Sequence, residues 1–190
     1  NYLDSFRYPL AGECAMSTDV AETLRVPSDW GFEIGVLAEV YRHFPTSRVC
    51  QVDVADSYDH KHRELSADDP MHGLHRMSVD IARAIYRKLA IEGVVLSAEG
   101  FRSLEAAYDR TALDLIDRYE ADAAFNAMAY DRHAEELAIE VFAHSIVRAG
   151  QEFLDDPLET PFIPSWTRVR SELPDLPSRL LEAVEADNLE

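Results

Sequence analysis

Residues 97–119 read SAEGFRSLEAAYDRTALDLIDRY, and this stretch decides the fold class. Phe101, Leu104, Tyr108, Leu115 and Tyr119 recur at intervals of three, four and seven, the period of an α-helix with one apolar face. Ser97 stands where a side-chain oxygen can accept a hydrogen bond from the first free N–H groups of that helix. The same grammar holds on both sides. Upstream, Leu74, Met77, Ile81, Ala84 and Leu89 mark a helix that Gly93 ends. Downstream, Asp131 can cap a third, with Leu137, Val141, Phe142, Ile146, Ala149 and Phe153 facing inward. Pro157, Pro161 and Pro164 then interrupt the pattern, and two short helices are expected around Trp166–Glu172 and Pro177–Ala186.

Residues 1–70 have a different texture, with turn residues between short apolar runs. Ile34, Leu37, Ala38 and Tyr41 predict a helix over Phe32–Phe44, stopped by Pro45. Pro27-Ser28-Asp29 supplies the turn and an N-cap ahead of it. Ser47–Val54 (SRVCQVDV) alternates Val49, Gln51, Asp53 against Cys50, Val52, Val54, which reads as one strand. The expected architecture is mainly α with one or two short strands. Its two parts are a mixed region over 1–70 and a helical region over 71–190 whose long helices suit a homodimer.

Composition narrows the function. The 190 residues carry 36 acidic against 18 basic side chains, a net charge of −18. Such a surface repels phosphate backbones and anionic lipid, which argues against nucleic acid and membrane as partners. No apolar run approaches the roughly 20 residues that span a bilayer, and no signal-peptide pattern opens the chain. Cys14 and Cys50 have no metal-ligand spacing and read as free thiols of a reducing cytoplasm. Residues 151–190 hold ten acids and three bases, a solvated acidic skirt.

Three stretches have the residue types that chemistry needs. In Tyr8-Pro-Leu10-Ala11-Gly12-Glu13, a fixed φ, small residues and a glycine let backbone approach a ligand beside a carboxylate. The plainer alternative is a loop entering a helix. In Trp30-Gly-Phe32-Glu33-Ile34-Gly35, an acid sits among apolar neighbours at a helix start; it is either functional or a dipole partner. Tyr58-Asp-His60-Lys61-His62-Arg63 is the one dense basic patch, able to meet metal or phosphate or simply to form a polar turn. His72 and His75, three apart, can share a helix face.

Taken in order, PLAGE, then a W-G-x-E-I-G turn into a helix, then Q-V-D leading to a His-and-basic loop resemble the glucosyl- and mannosyl-3-phosphoglycerate synthases. These are retaining glycosyltransferases of the GT-A fold, an α/β Rossmann-like architecture. The resemblance is close over about residues 6–90 and looser through the helical remainder. It implies a metal-dependent transferase moving a hexose, glucose preferred, from a nucleotide-diphosphate sugar to 3-phosphoglycerate. By the same resemblance, Leu10, Ala11, Gly12 and Glu13 with Trp30 meet the donor sugar, and Glu33 holds its hydroxyls as the catalytic carboxylate. His60 ligates Mg²⁺ or Mn²⁺, and Lys61, His62 and Arg63 face the anionic groups of donor or acceptor. The family's upstream nucleotide-binding half, with its Asp-x-Asp element, has no counterpart in these residues. The chain therefore reads as a C-terminal half, expected to be inactive alone.

Two readings of other classes stand beside this one. The first is a non-catalytic helical interaction or dimerisation module. The second is a metal-dependent phosphohydrolase built on His60, His62, His72 and His75.

Overall fold

The computed structural model of the chain describes residues 2–55, 64–158 and 162–188. The helices are α1 (Thr18–Thr23), α2 (Phe32–His43), α3 (Gly73–Ile91), α4 (Ala98–Phe125), α5 (Arg132–Asp155), α6 (Trp166–Glu172) and α7 (Leu176–Asp187). Their boundaries follow local chemistry. Ser97, Asp131 and Ser165 each accept a backbone N–H with the side chain, from Gly100, Ala134 and Arg168, and so open α4, α5 and α6. Pro45 follows α2 and cannot extend it.

The chain groups into two compact units. One holds the described residues of Asn1–Ser28, Phe32–Gln51 and Thr160–Glu190; the other holds those of Asp29–Gly31 and Val52–Glu159. In the first, Gly35 of α2 lies against Pro27, where a Cβ would come within 2.1 Å of the ring. Only glycine permits that approach. Val26 and Ile163 form a β-bridge, Ile163 N–H donating to Val26 C=O at 2.8 Å. Glu22 then takes Thr167 Oγ1 on its carbonyl and Arg170 on its carboxylate, tying α6 to α1.

The second unit is a packing of α3, α4 and α5. Val79, Tyr86, Phe101, Ala149 and Phe153 form its core, with Ala82, Ile85, Leu96 and Ile146 against them. Phe101 lies 4.6 Å from Tyr86 between ring centroids. The Tyr86 hydroxyl donates to the Ile146 carbonyl at 3.0 Å, joining α3 to α5, and burial pushes its pKa up to about 12. Gly150 lets α5 come down onto the Phe101 ring.

Three expectations are corrected. Among the described residues no strand forms over Ser47–Val54: Thr46–Arg48 is a 3-10 turn and 49–55 carry no ladder. The alternation is real, but a strand needs a neighbour for its N–H and C=O groups, and the described residues supply none. The stripe of α4 is also rotated. Phe101, Ile116 and Ala123 are buried, whereas Leu104 and Tyr119 are about half exposed, at 46% and 57%. Two adjacent apolar stripes run along this helix, and packing on α5 selects one of them. Likewise α3 fully buries Val79, Asp80, Arg83, Ala84, Tyr86 and Arg87, while Leu74, Met77 and Ile81 stay half-buried and Leu89 is exposed. Ion pairing makes the charged face buriable, as shown below.

Candidate functional site

The residues of the PLAGE loop lie in the first unit. Ala11 N–H donates to Tyr8 C=O at 3.2 Å, a turn that leaves Leu10 and Ala11 half-buried and Gly12 and Glu13 exposed. A Cβ on Gly12 would meet nothing within 4 Å, so the backbone there is open to an incoming ligand. The entry to this loop is held by Gln51, from the expected strand. Its side-chain oxygen accepts Arg7 N–H at 2.8 Å, and its amide nitrogen donates to Ser5 C=O at 2.9 Å. One side chain thus does what a strand ladder would do, and it brings two of the three motifs together.

Glu33 stands in the first turn of α2, half-buried, where free backbone N–H groups favour a carboxylate. Six residues on, Glu39 is 1% exposed. Its Oε2 lies 3.7 Å from Arg25 Nε, the counter-charge a buried carboxylate requires, and 3.6 Å from His43 Nε2. Sequence reasoning passed over Glu39, although the signal that marked Glu33 applies to it: an acid between Ala38 and Val40 in an apolar helix. In the same unit a cavity of about 380 Å³ is lined by Tyr2, Phe6, Tyr41, Thr46, Cys50 and Gln51. Tyr2 and Tyr41 pack at 4.6 Å, and burial raises the Tyr2 hydroxyl pKa.

Trp30 lies in the second unit, 40% exposed, in a turn whose neighbours are fixed. Asp29 Oδ1 accepts Gly31 N–H at 2.9 Å, and Asp29 Oδ2 lies 3.5 Å from Arg83. Arg83 also reaches Asp80 and Glu152, each at 3.1 Å, while Arg76 holds Asp80 and Arg148 holds Glu152 at 3.0 Å. Burial pushes the Asp80 carboxyl above its ordinary value, against the pull of Arg76. Asp29 was expected in the turn ahead of α2; the other charged residues of this cluster were not singled out, because an i, i+3, i+4 series of Arg and Asp reads as a solvated face until a partner helix is seen.

The basic stretch, with His60, Lys61, His62 and Arg63, lies outside the described residues. The chain just after it is docked on α3: Leu74 N–H donates to Glu64 C=O at 2.9 Å and His75 N–H to Leu65 C=O at 3.3 Å. Gly73 takes φ +58°, and a Cβ there would come within 2.3 Å of the Glu64 carbonyl. His72 and His75 do not share a face. His72 precedes the helix, exposed and 2.6 Å from Asp69, whereas His75 is buried with Nδ1 unpartnered. The Met71 N–H, then the His72 ring, hold the Asp69 carboxyl below the ordinary range. Among the described residues no group of three His, Cys, Asp or Glu can hold a metal ion. No helix there is long and apolar enough to cross a membrane.

Comparison with known proteins extends the resemblance. The chain is 43% identical over 187 residues to the glucosyl-3-phosphoglycerate synthase of Persephonella marina, across 98% of its own length and 46% of that protein. It is 42% identical, with the same coverage, to the protein of that name from Methanococcoides burtonii. No protein-family model and no solved structure matches. The chain spans about half the length of these curated relatives, and its likeness runs through the helical residues 71–190 as well as the motifs: over nearly its whole length it is similar to part of the glucosyl-3-phosphoglycerate synthases.

Proposed function

We propose that this chain is the C-terminal half of a cytoplasmic glycosyltransferase that moves a hexose, glucose by preference, from a nucleotide-diphosphate sugar to 3-phosphoglycerate with retention. The observation that carries the reading is identity of 43% and 42% to two proteins named for that synthesis, sustained over 98% of the chain. In this reading the first unit contributes to a GT-A core, and residues 49–55, extended at Val49 (φ −108°, ψ 134°), pair with a strand from the other half.

Each site residue then has a task set by its chemistry. The open backbone at Leu10–Glu13 approaches the transferred sugar, and Trp30 presents a ring face to it. Glu33, beside the positive end of α2, holds sugar hydroxyls and offsets positive charge as the glycosidic bond breaks. Lys61, His62 and Arg63 draw the anionic substrates into a protein that is otherwise strongly acidic. A divalent cation, Mg²⁺ or Mn²⁺, would neutralise charge on the leaving diphosphate. His60 is proposed as one ligand, with carboxylate and phosphate oxygens of the upstream half and the donor completing the set; among the described residues no group of three His, Cys, Asp or Glu could hold the ion by itself.

A helical interaction surface is a second reading, and it has an observation of its own. Leu104 and Tyr119 leave an apolar stripe of α4 partly exposed. Within the transferase the same stripe serves a homodimer. Titrating Mg²⁺ or Mn²⁺ into the complete gene product, and separately into residues 1–190, with nucleotide sugars and 3-phosphoglycerate separates the readings. Metal-dependent transfer by the complete product supports the synthase; specific self-association without turnover in either form supports the module. Release of phosphate from phosphomonoesters would point to the phosphohydrolase.

A further inference from the structure

Within the second unit, the turn Asp29–Trp30–Gly31 is bound to α3 in two ways. Gly31 is buried against the helix: a Cβ there would come within 2.4 Å of Ala84 Cβ and 3.4 Å of the Asp80 carbonyl, so a larger residue would push the turn off. Beside it, Asp29 faces Arg83, whose side chain is 3% exposed. The guanidinium of Arg83 is shared among three carboxylates, Asp29 at 3.5 Å and Asp80 and Glu152 at 3.1 Å each. Its fork geometry suits such branching, which a lysine point charge does not reproduce.

The same Asp29 carboxylate has two jobs. One oxygen meets Arg83, and the other accepts Gly31 N–H at 2.9 Å, closing the turn around Trp30. Trp30, between these two anchored residues, is 40% exposed. A bulky aromatic residue in a turn whose neighbours are pinned by buried charge is the arrangement that lowers the entropy cost of stacking on a ligand.

We infer that Arg83 and Asp29 are positioning residues that pre-set Trp30 for the transferred sugar. This rests on the reading of Trp30 as a donor-sugar contact, and it adds a specificity device remote from the motifs. The pre-organisation acts on donor affinity and leaves the chemical step alone.

Two measurements test it. With Trp166→Phe as background, Trp30 is the sole tryptophan, and its acrylamide quenching and anisotropy report the turn directly. Asp29→Asn keeps the acceptor for Gly31 and leaves Arg83 with Asp80 and Glu152, so the fold survives; Arg83→Met is the harsher companion. For Asp29→Asn the quenching constant is expected to rise roughly twofold, with helical circular dichroism unchanged. In the complete gene product the same variant is expected to raise KM for the nucleotide sugar about tenfold while kcat stays within about twofold. Quenching and anisotropy that do not move overturn the anchoring. Quenching that moves while KM does not overturns the positioning role. A Trp30→Ala variant with normal KM overturns the underlying reading of Trp30, and that failure is distinct from the other two.

Discussion

Gly150→Ala sets two effects of opposite sign against each other, and the structure says which wins. Alanine is the better helix former by about 1 kcal/mol, so on propensity alone the change stabilises α5. At this position, however, the new Cβ would lie 2.4 Å from Cγ and Cδ2 of Phe101 and 2.8 Å from Cε2. Carbon atoms settle at about 3.5–4.0 Å, so α5 and the ring must part by about 1.1 Å or more. Phe101 has little room, being 3% exposed and 4.6 Å from Tyr86. Tyr86 is itself tied to Ile146, one turn before Gly150 on the same helix. Overpacking of this kind costs about 3 kcal/mol at the upper end of its usual range, leaving a net loss of about 2 kcal/mol. Urea unfolding followed by far-ultraviolet circular dichroism measures it. Phe101→Leu in the same chain should relieve the clash, so the double variant loses less than the two single losses together. Gly100→Ala is the control: its Cβ meets only Ser97 Oγ, at 3.6 Å, and it should be neutral or stabilising. A Gly150→Ala protein as stable as the parent would refute the close approach of α4 and α5.

Other expectations follow from single sites. Ser97→Ala removes the acceptor for Gly100 N–H and should cost about 1 kcal/mol, read as a lower urea midpoint. Burial raises the folded Asp80 carboxyl above its ordinary 3.8. Its contribution is therefore full below that ordinary value and is lost as pH rises through the folded one. The stability advantage of the parent over Asp80→Asn should shrink as pH rises above that ordinary value, and an advantage that widens contradicts the shift. In the complete gene product, Glu33→Gln should lower kcat more than it raises donor KM, because charge matters most as the bond breaks. His60→Ala should weaken the response to Mg²⁺ or Mn²⁺, whereas Lys61→Ala and Arg63→Ala should mainly raise KM for the phosphorylated substrates; an unchanged metal titration removes His60 from the site.

What was legible in the sequence was local. Ser97, Asp131 and Pro45 act through their own backbone and nearest turn, so the ends of α2, α4 and α5 could be read without a partner in view. The short helices α6 and α7 were legible for the same reason, since Pro164 and Pro174 bracket α6 and Pro177 sits in the first turn of α7. What required the third dimension was the choice of face. On α3 the helical period marked Leu74, Met77 and Ile81, yet Arg83 and Asp80 are the side chains turned fully inward, because Glu152 and Asp29 come from elsewhere to neutralise them. Glu39 was missed for a related reason: its counter-charge, Arg25, lies 14 residues before it. The run at 47–54 had the pattern of a strand but finds no partner strand among the described residues, and pairing is not a property of the run itself. At the site, Gln51 joins the loop entry through side-chain hydrogen bonds that no spacing rule announces.

Mass-spectrometric detection of product from the complete gene product, given nucleotide-diphosphate glucose, 3-phosphoglycerate and Mg²⁺ or Mn²⁺, bears most directly on the central proposal. The expected result is one hexose joined to phosphoglycerate, with matching release of nucleoside diphosphate and no product from residues 1–190 alone. A folded complete protein that leaves 3-phosphoglycerate unmodified with every nucleotide sugar offered would contradict it.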